Sequence, residues 1–360
     1  MRSRTHGSAW AARYDDAERR FQALLDVTDL DAAVGRRPQL VALFERGLAE
    51  ALARAYEPHA GAPRARLFLQ RVLYRVNRLK LFWYDDLRHY TNERSAYLRF
   101  VRDRIEAAWQ RWEMAQLDVD ALRSADVPAW LRARAAADLD PPASEAGRYF
   151  RDHAGVAGYR RLIEIASLDG LVEASQLSRT LGGVSNDVHA MLTRVLVEEY
   201  GGGRLQRKHS SFFTVMLEDL GMRTEPEAYF DTVPDDVLAT INHSFLLSER
   251  KRFFLRYVGG LMYTEVSVPA AFRNYRDAAA RLGLSEAARG YWDLHIREDE
   301  RHGRWMLHDV ALPLAARYPE HAWELLLGYD QQRLMSARAG AAVARAAREA
   351  DAGARQAAAA

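Results

Sequence analysis

Apolar residues recur every three or four positions along almost the whole chain. Leu40-Val-Ala-Leu-Phe-Glu-Arg-Gly-Leu-Ala-Glu-Ala-Leu-Ala and Leu67-Phe-Leu-Gln-Arg-Val-Leu-Tyr-Arg-Val-Asn-Arg-Leu each carry one apolar stripe with Arg and Glu between its members. That is the spacing of amphipathic helices. Strand-type alternation is not sustained anywhere, so the fold class predicted is all-α. Pro128 and Pro141-Pro142 bracket a polar, alanine-rich stretch, which places a boundary near residue 140. Residues 1–140 then form an N-terminal helical accessory region and 141–332 a second helical bundle. Residues 333–360 are an Ala/Arg-rich tail with almost no large apolar side chain, expected to fray or be disordered unless docked as a helix.

Composition narrows the function classes. With 360 residues, 49% of them hydrophobic, the chain can bury one large core or two smaller ones. The 51 basic and 49 acidic residues are interspersed, and no basic stripe is interleaved with aromatics, which argues against nucleic acid as a partner. No apolar run approaches the roughly 20 residues that span a bilayer, and the first residues lack the apolar core of a signal peptide. A cytoplasmic location, with no membrane partner, is the expectation. Absence of cysteine removes disulfides and thiolate metal sites.

The chemistry lies in Tyr291-Trp-Asp-Leu-His-Ile-Arg-Glu-Asp-Glu-Arg-His302. At about 100° per residue, His295, Asp299 and His302 fall within about 60° of arc on one helix face. Imidazole with carboxylate suits iron, zinc or manganese, but one helix face cannot complete a site. Further candidates are Glu199 and His209, on either side of Gly201-Gly-Gly203, and Glu173 and Glu265, which are acids inside largely apolar segments. Ionised carboxylates in such places are usually paired or metal-bound. An unbroken helix would leave Glu199 and His209 about 80° apart; left-handed glycines could fold both toward one ion, with Ser185 or Asn186 capping the preceding helix. Four carboxylates and three imidazoles result, and four negative charges would neutralise two ferrous ions.

In order and spacing, E-Y-G-x-G-x5-H-x3-F, a later lone glutamate and H-x3-D-x2-H resemble the haem-oxygenase-like di-iron oxidases and oxygenases, the iron-containing redox enzymes. The resemblance covers about 145–327 and implies a haem-oxygenase-like helical bundle. Its metal ligands would fall on Glu173, Glu199, His209, Glu265, His295, Asp299 and His302. Glu199, His295 and Asp299 would be the residues closest to catalysis. The histidine at 295 is typical of nitrogen-oxygenating members and typically lacking in six-ligand ones, and it turns the expected reaction toward nitrogen. No cupin-like sequence follows the motif, so rearrangement to an N-nitroso group is not expected. By the same resemblance the N-terminal helices would mediate a homodimer.

Each residue also has an ordinary structural explanation. His209 alone would be a hydrogen-bonded histidine, and Asp299 alone part of the solvated charge run Arg297-Glu-Asp-Glu-Arg301. Glu198 competes with Glu199, which is chosen because the tyrosine of the motif follows it directly; Glu298 is read as exposed. His153, His189, His243 and His308 have no partner at ligand spacing. The resemblance implies two Fe ions that carry dioxygen through a peroxo-diferric intermediate, oxygenating an amine or guanidine of a small, amino-acid-derived molecule in a biosynthetic pathway. An external electron donor is required, because Gly201-Gly-Gly203 follows a helix and is no nucleotide loop. Phe212, Tyr263, Tyr291 and Trp292 lie near the ligands and could line the pocket, although aromatics at such positions are more often core. Alternatives are oxidative carbon-carbon cleavage or desaturation of an amino or fatty acid, and a helical binding or scaffold protein without catalysis.

Overall fold

The computed structural model describes residues 3–57, 62–82, 86–183 and 186–359. Ser185, one of the two expected caps, lies outside them. Among the described residues every regular element is helical, as the apolar spacing predicts. The chain forms two compact units, Met1–Gln116 and Leu117–Ala360.

The first unit contains α1 (Ser3–Leu25), α2 (Leu30–Arg36), α3 (Ala42–Arg54), α4 (Ala62–Asn77) and α5 (Ala96–Met114). Its core is aromatic: Phe21 and Phe44 pack with ring centroids 4.8 Å apart and Phe68 is buried beside them. Glu18 accepts from Arg71 (2.9 Å) and Arg75 (3.0 Å), so the acid that α1 buries is charge-compensated by α4. Asn92 donates to the carbonyls of Leu25 and Val27 and accepts from the Leu30 amide, pinning the turn between α1 and α2.

The second unit contains α6 (Val119–Arg123), α7 (Val127–Leu139), α8 (Glu145–Arg148), α9 (Val156–Gly170), α10 (Asp187–Glu199), α11 (His209–Asp219), α12 (Asp235–Glu249), α13 (Phe254–Arg281), α14 (Gly290–Trp305), α15 (Leu312–Arg317) and α16 (Trp323–Ala359). The alanine-rich stretch between the prolines is α7 itself and belongs to this unit, so the division falls at Gln116 and not near 140. Pro128 sits in the first turn, where its missing amide costs nothing, and Pro141 follows the helix end. Arg134 of α7 makes a two-pronged ion pair, both contacts 2.7 Å, with Asp330 of α16.

At the centre α13 packs against α14 and α16. A Cβ at Gly259 would lie 2.0 Å from the Leu325 carbonyl oxygen, and one at Gly328 only 1.9 Å from that of Arg256. The two helices cross at backbone contact because both residues are glycine. The tail is not frayed: α16 runs unbroken to Ala359 and buries Ala342, Val343, Ala344 and Ala347. Alanine is the best helix former, and its small side chain lets α16 pack closely. Asp351 fixes the packing by accepting from the Tyr149 hydroxyl (2.7 Å) and the amides of Gly155 (2.8 Å) and Gly158 (2.7 Å).

Candidate metal centre

Five segments of the second unit converge on one buried cluster of acids and imidazoles. Asn186 caps α10 by accepting from the amides of Val188 and His189, and the helix ends at Glu199. The chain then reverses through Gly201, Gly202 and Gly203, all left-handed with φ of 60°, 64° and 80°. A Cβ at Gly201 would stand 2.3 Å from the Arg207 carbonyl carbon. This tight return starts α11 at His209 and places its Nδ1 2.9 Å from Glu199 Oε2. The glycines thus do what an unbroken helix could not.

The H-x3-D-x2-H run lies on α14, with His295, Asp299 and His302 buried. That helix begins at Gly290, after Ser285 accepts from the Ala288 amide. Past Trp305 it widens into a π-helical segment, Met306–Ala311, before α15, where Pro313 cannot supply the next amide. Glu265 comes from the middle of α13, which continues through Pro269. Gly303 lets α14 approach it: a Cβ there would be 3.2 Å from the Glu265 carbonyl oxygen. Glu173 lies just past the end of α9.

The seven predicted residues all come together, in two groups. Glu173, Glu199, His209 and His295 form one; Glu199, Glu265, Asp299 and His302 form the other; within each, one donor atom per residue lies within 4.8 Å of the rest. Around one ion with bonds of about 2.0–2.2 Å, ligand atoms stand roughly 3 to 4.4 Å apart, so each group can close on a single metal. Glu199 belongs to both, with Oε2 near His209 and Oε1 3.4 Å from His302 Nδ1. His153, His189, His243 and His308 belong to neither group; the ring of His189 stacks on Phe254.

The imidazoles are held by their outer nitrogens. His295 Nδ1 donates to the Tyr291 carbonyl at 2.8 Å, leaving Nε2 2.7 Å from Glu173 Oε1 and 3.2 Å from His209 Nδ1. His302 Nε2 donates to Glu198 at 3.0 Å, leaving Nδ1 3.3 Å from Glu265. Glu198 therefore holds a ligand candidate from behind while Glu199 occupies the cluster, which resolves the choice between the adjacent acids. Glu298 is half-buried and pairs with Arg297 and Arg301, contrary to the exposed position expected, because Arg301 folds back over the helix. Tyr291 is more than pocket lining: its hydroxyl donates to Glu173 at 3.0 Å.

The electrostatics are those of a cation site. Burial would lower the His302 pKa, yet Glu265, Glu199 and Asp299 push it up to about 10. His295 is raised well above the usual imidazole range against its burial, by Glu173 and Asp299. Asp299 is raised by burial and by the acids Glu265 and Glu199, against the pull of His295. Glu173 is lowered despite burial, by the imidazoles of His295 and His209 and the Tyr291 hydroxyl. Among the described residues, Glu173 Oε2 and Asp299 Oδ1 are buried without a hydrogen-bond partner. Buried acids of this number bind protons through their histidines when no metal is present, and hard or borderline divalent ions fit the same donors.

A cavity of about 1010 Å³ adjoins the cluster. Tyr263, Tyr291 and Trp292 are on its wall; Phe212 is not, since its ring lies beside Gly290 and the next residue, Phe213, takes the place. Phe213 meets Tyr291 edge to face at 4.9 Å and lies across Gly170. Phe272, 5.4 Å from the His295 ring and 4.7 Å from that of Trp292, was not singled out from sequence. It lies near Pro269 in a segment without motif residues.

The unit is all-α and brings seven such donors together from five segments, in keeping with a haem-oxygenase-like helical bundle whose cluster could hold metal. Residues 160–335 match the family model described as iron-containing redox enzyme. The chain is also similar to the nitrosourea synthase of Streptomyces achromogenes subsp. streptozoticus, at 27% identity over 168 residues, 46% of this chain and 36% of that protein. The match spans little more than a third of that relative's length.

Proposed function

We propose that the chain is a non-haem di-iron oxygenase that uses dioxygen and an external electron donor to oxygenate an amine or guanidine nitrogen of a small, amino-acid-derived molecule. The observation that carries this reading is Glu199, which offers one carboxylate oxygen to each of two four-donor groups. Bound iron would supply the activation of dioxygen. Glu173, His209 and His295 would hold one ion and Glu265, Asp299 and His302 the other, with Glu199 between them. The Tyr291 hydroxyl fixes Glu173, Glu198 fixes His302, and the Tyr291 carbonyl fixes His295. Aromatic rings on the cavity wall would shield the substrate side from water.

Oxidation at nitrogen is favoured by His295, whose Nε2 lies inside the first group as a seventh donor. It is favoured also by likeness to a protein named for a nitrosourea, a product oxidised at nitrogen. The test is turnover of the iron-loaded, reduced protein under ¹⁸O₂ with panels of amines, guanidines, amino acids and fatty acids, read by mass spectrometry. Labelled hydroxylamine or hydroxyguanidine products are expected. Cleaved or desaturated carbon products, or no oxygen consumption, would overturn the assignment.

A further inference from the structure

We infer that Asp169 is the anchor for a cationic substrate group, an ammonium or guanidinium held beside the metal centre; this deepens the nitrogen-oxygenase reading and rests on it. Asp169 lies in the last turn of α9, four residues before Glu173, and its side chain is on the cavity wall. It is exposed, and it is one of the residues that line the cavity.

The other acids on that wall all have hydrogen-bond or ion-pair partners or belong to the cluster. Asp138 accepts from Tyr329, and Asp140, Glu145 and Asp277 pair with Arg273, Arg348 and Arg276. The remaining four belong to the metal cluster. Among the described residues, Asp169 alone on this wall has neither a hydrogen bond nor an ion pair to its carboxylate. Nothing basic occupies the last turn of α9, where a helix presents partial negative charge. An acid there is placed against the helix dipole, so the fold accepts an uncompensated negative charge at the cavity surface. A mobile cation removes that cost.

Other features favour an organic cation over a third metal ion. Asp169 is the single carboxylate at this spot outside the two four-donor groups, too few ligands for an ion held by protein oxygens. Phe213, Tyr257 and Tyr291 line the same cavity, and aromatic walls favour organic cations. Burial and the neighbouring Glu173 push the Asp169 carboxyl up to about 6, the direction expected of an acid lacking its counter-ion. The position suits the chemistry: a cationic nitrogen group held here shares the cavity with Glu173, Glu199, Glu265, His295 and Asp299, whereas a fatty chain would meet an unpaired carboxylate.

The test uses the full chain loaded anaerobically with two equivalents of Fe(II), and calorimetric titration with butylguanidinium, butylammonium and the neutral isostere butylurea. Wild type is expected to prefer one or both cations over butylurea by about tenfold or more. Asp169→Asn is expected to reduce that preference to about twofold or less, while Asp169→Glu keeps most of it. Iron content and circular dichroism are measured on the same samples and should be unchanged in both variants. Equal binding of cation and isostere by wild type, no binding of either cation, or a preference surviving in Asp169→Asn would each overturn the assignment. A chain that holds no iron would instead sink the oxygenase reading. The effect of Asp169→Asn on cation preference would then be read on the metal-free protein by the same criteria.

Discussion

Glu198 Oε2 lies 3.0 Å from Nε2 of His302, on the opposite edge of the ring from Nδ1, which is 3.4 Å from Glu199, 3.3 Å from Glu265 and 3.7 Å from Asp299. Two consecutive glutamates therefore address the two sides of one imidazole. Glu199 lies in both four-donor groups; Glu198 takes the Nε2 side of the ring, so that Nδ1 faces the other donors, and it is itself held by Arg301.

Removing that support should weaken metal binding without deleting a ligand. Outer partners of metal-bound histidines are typically worth about 10- to 100-fold in affinity. Glu198→Ala is expected to lose that much at one of two Fe(II) sites, with Glu198→Gln intermediate, in an anaerobic titration. Unchanged affinity at both sites would assign Glu198 to surface ion pairing with Arg301 alone.

Protons and metal should compete for the cluster. The His302 pKa is raised to about 10 in the metal-free chain, and that of His295 is raised as well. A raised folded pKa contributes stability that is fully present below the unfolded value near 6.5 and is lost as pH rises through the folded one. Metal-free protein should lose stability from about pH 6.5 toward pH 10, while Fe(II)-loaded protein, its imidazoles already neutral, should not. Loading at pH 7 should release protons, detectable with an indicator dye in weak buffer. Parallel melting curves for the two forms and no proton release would contradict this.

Gly201 should not tolerate a side chain. A Cβ would be 2.3 Å from the Arg207 carbonyl carbon, at φ 60°. Left-handed strain alone costs about 1–3 kcal/mol, and relief of the clash would move the segment that delivers His209. Gly201→Ala is expected to lose iron at the group containing His209. Gly202→Ala, at φ 64° but with open space around its Cβ, should lose only stability, and equal iron content in the two variants would refute the positional argument.

Asp351 should be a stability residue of the terminal helix. Asp351→Ala leaves the Tyr149 hydroxyl and two amides without their acceptor, at a cost of about 2–4 kcal/mol. Burial would raise its carboxyl pKa, but the Gly155 amide, the Tyr149 hydroxyl and the Gly158 amide hold it below the usual range. The carboxylate's contribution is therefore present above about pH 4 and is lost as pH falls through the folded value. The gap in melting temperature between wild type and Asp351→Asn should be wide at pH 7 and narrow below pH 4. A gap that does not change with pH would contradict it.

The helices and the face that carries His295, Asp299 and His302 were legible because both obey periodicities, whereas the full ligand set came through the family resemblance. The i, i+4, i+7 spacing of His295, Asp299 and His302 predicts one face, and the glycines after Glu199 announce a reversal. What sequence could not show depended on neighbours distant along the chain. Tail alanines bury only because Gly155 and Gly158 leave room for Asp351, whose carboxylate a Cβ at either would meet at 2.8 or 2.6 Å. The prolines flanking α7 read as a boundary because Pro128 can equally begin a helix or a linker. Phe213 replaced Phe212 on the cavity wall because facing residues on a helix differ by 100° between neighbours. Asp169 carries no motif at all, and only its lack of partners among the described residues sets it apart.

Whether two metal ions share Glu199 is read from anomalous diffraction at the iron edge, on crystals grown anaerobically with Fe(II). Two peaks are predicted for each chain, one among Glu173, Glu199, His209 and His295 and one among Glu199, Glu265, Asp299 and His302, with Glu199 within bonding distance of both. A single peak, or iron bound elsewhere with the cluster held together by protons alone, would rule out a shared Glu199.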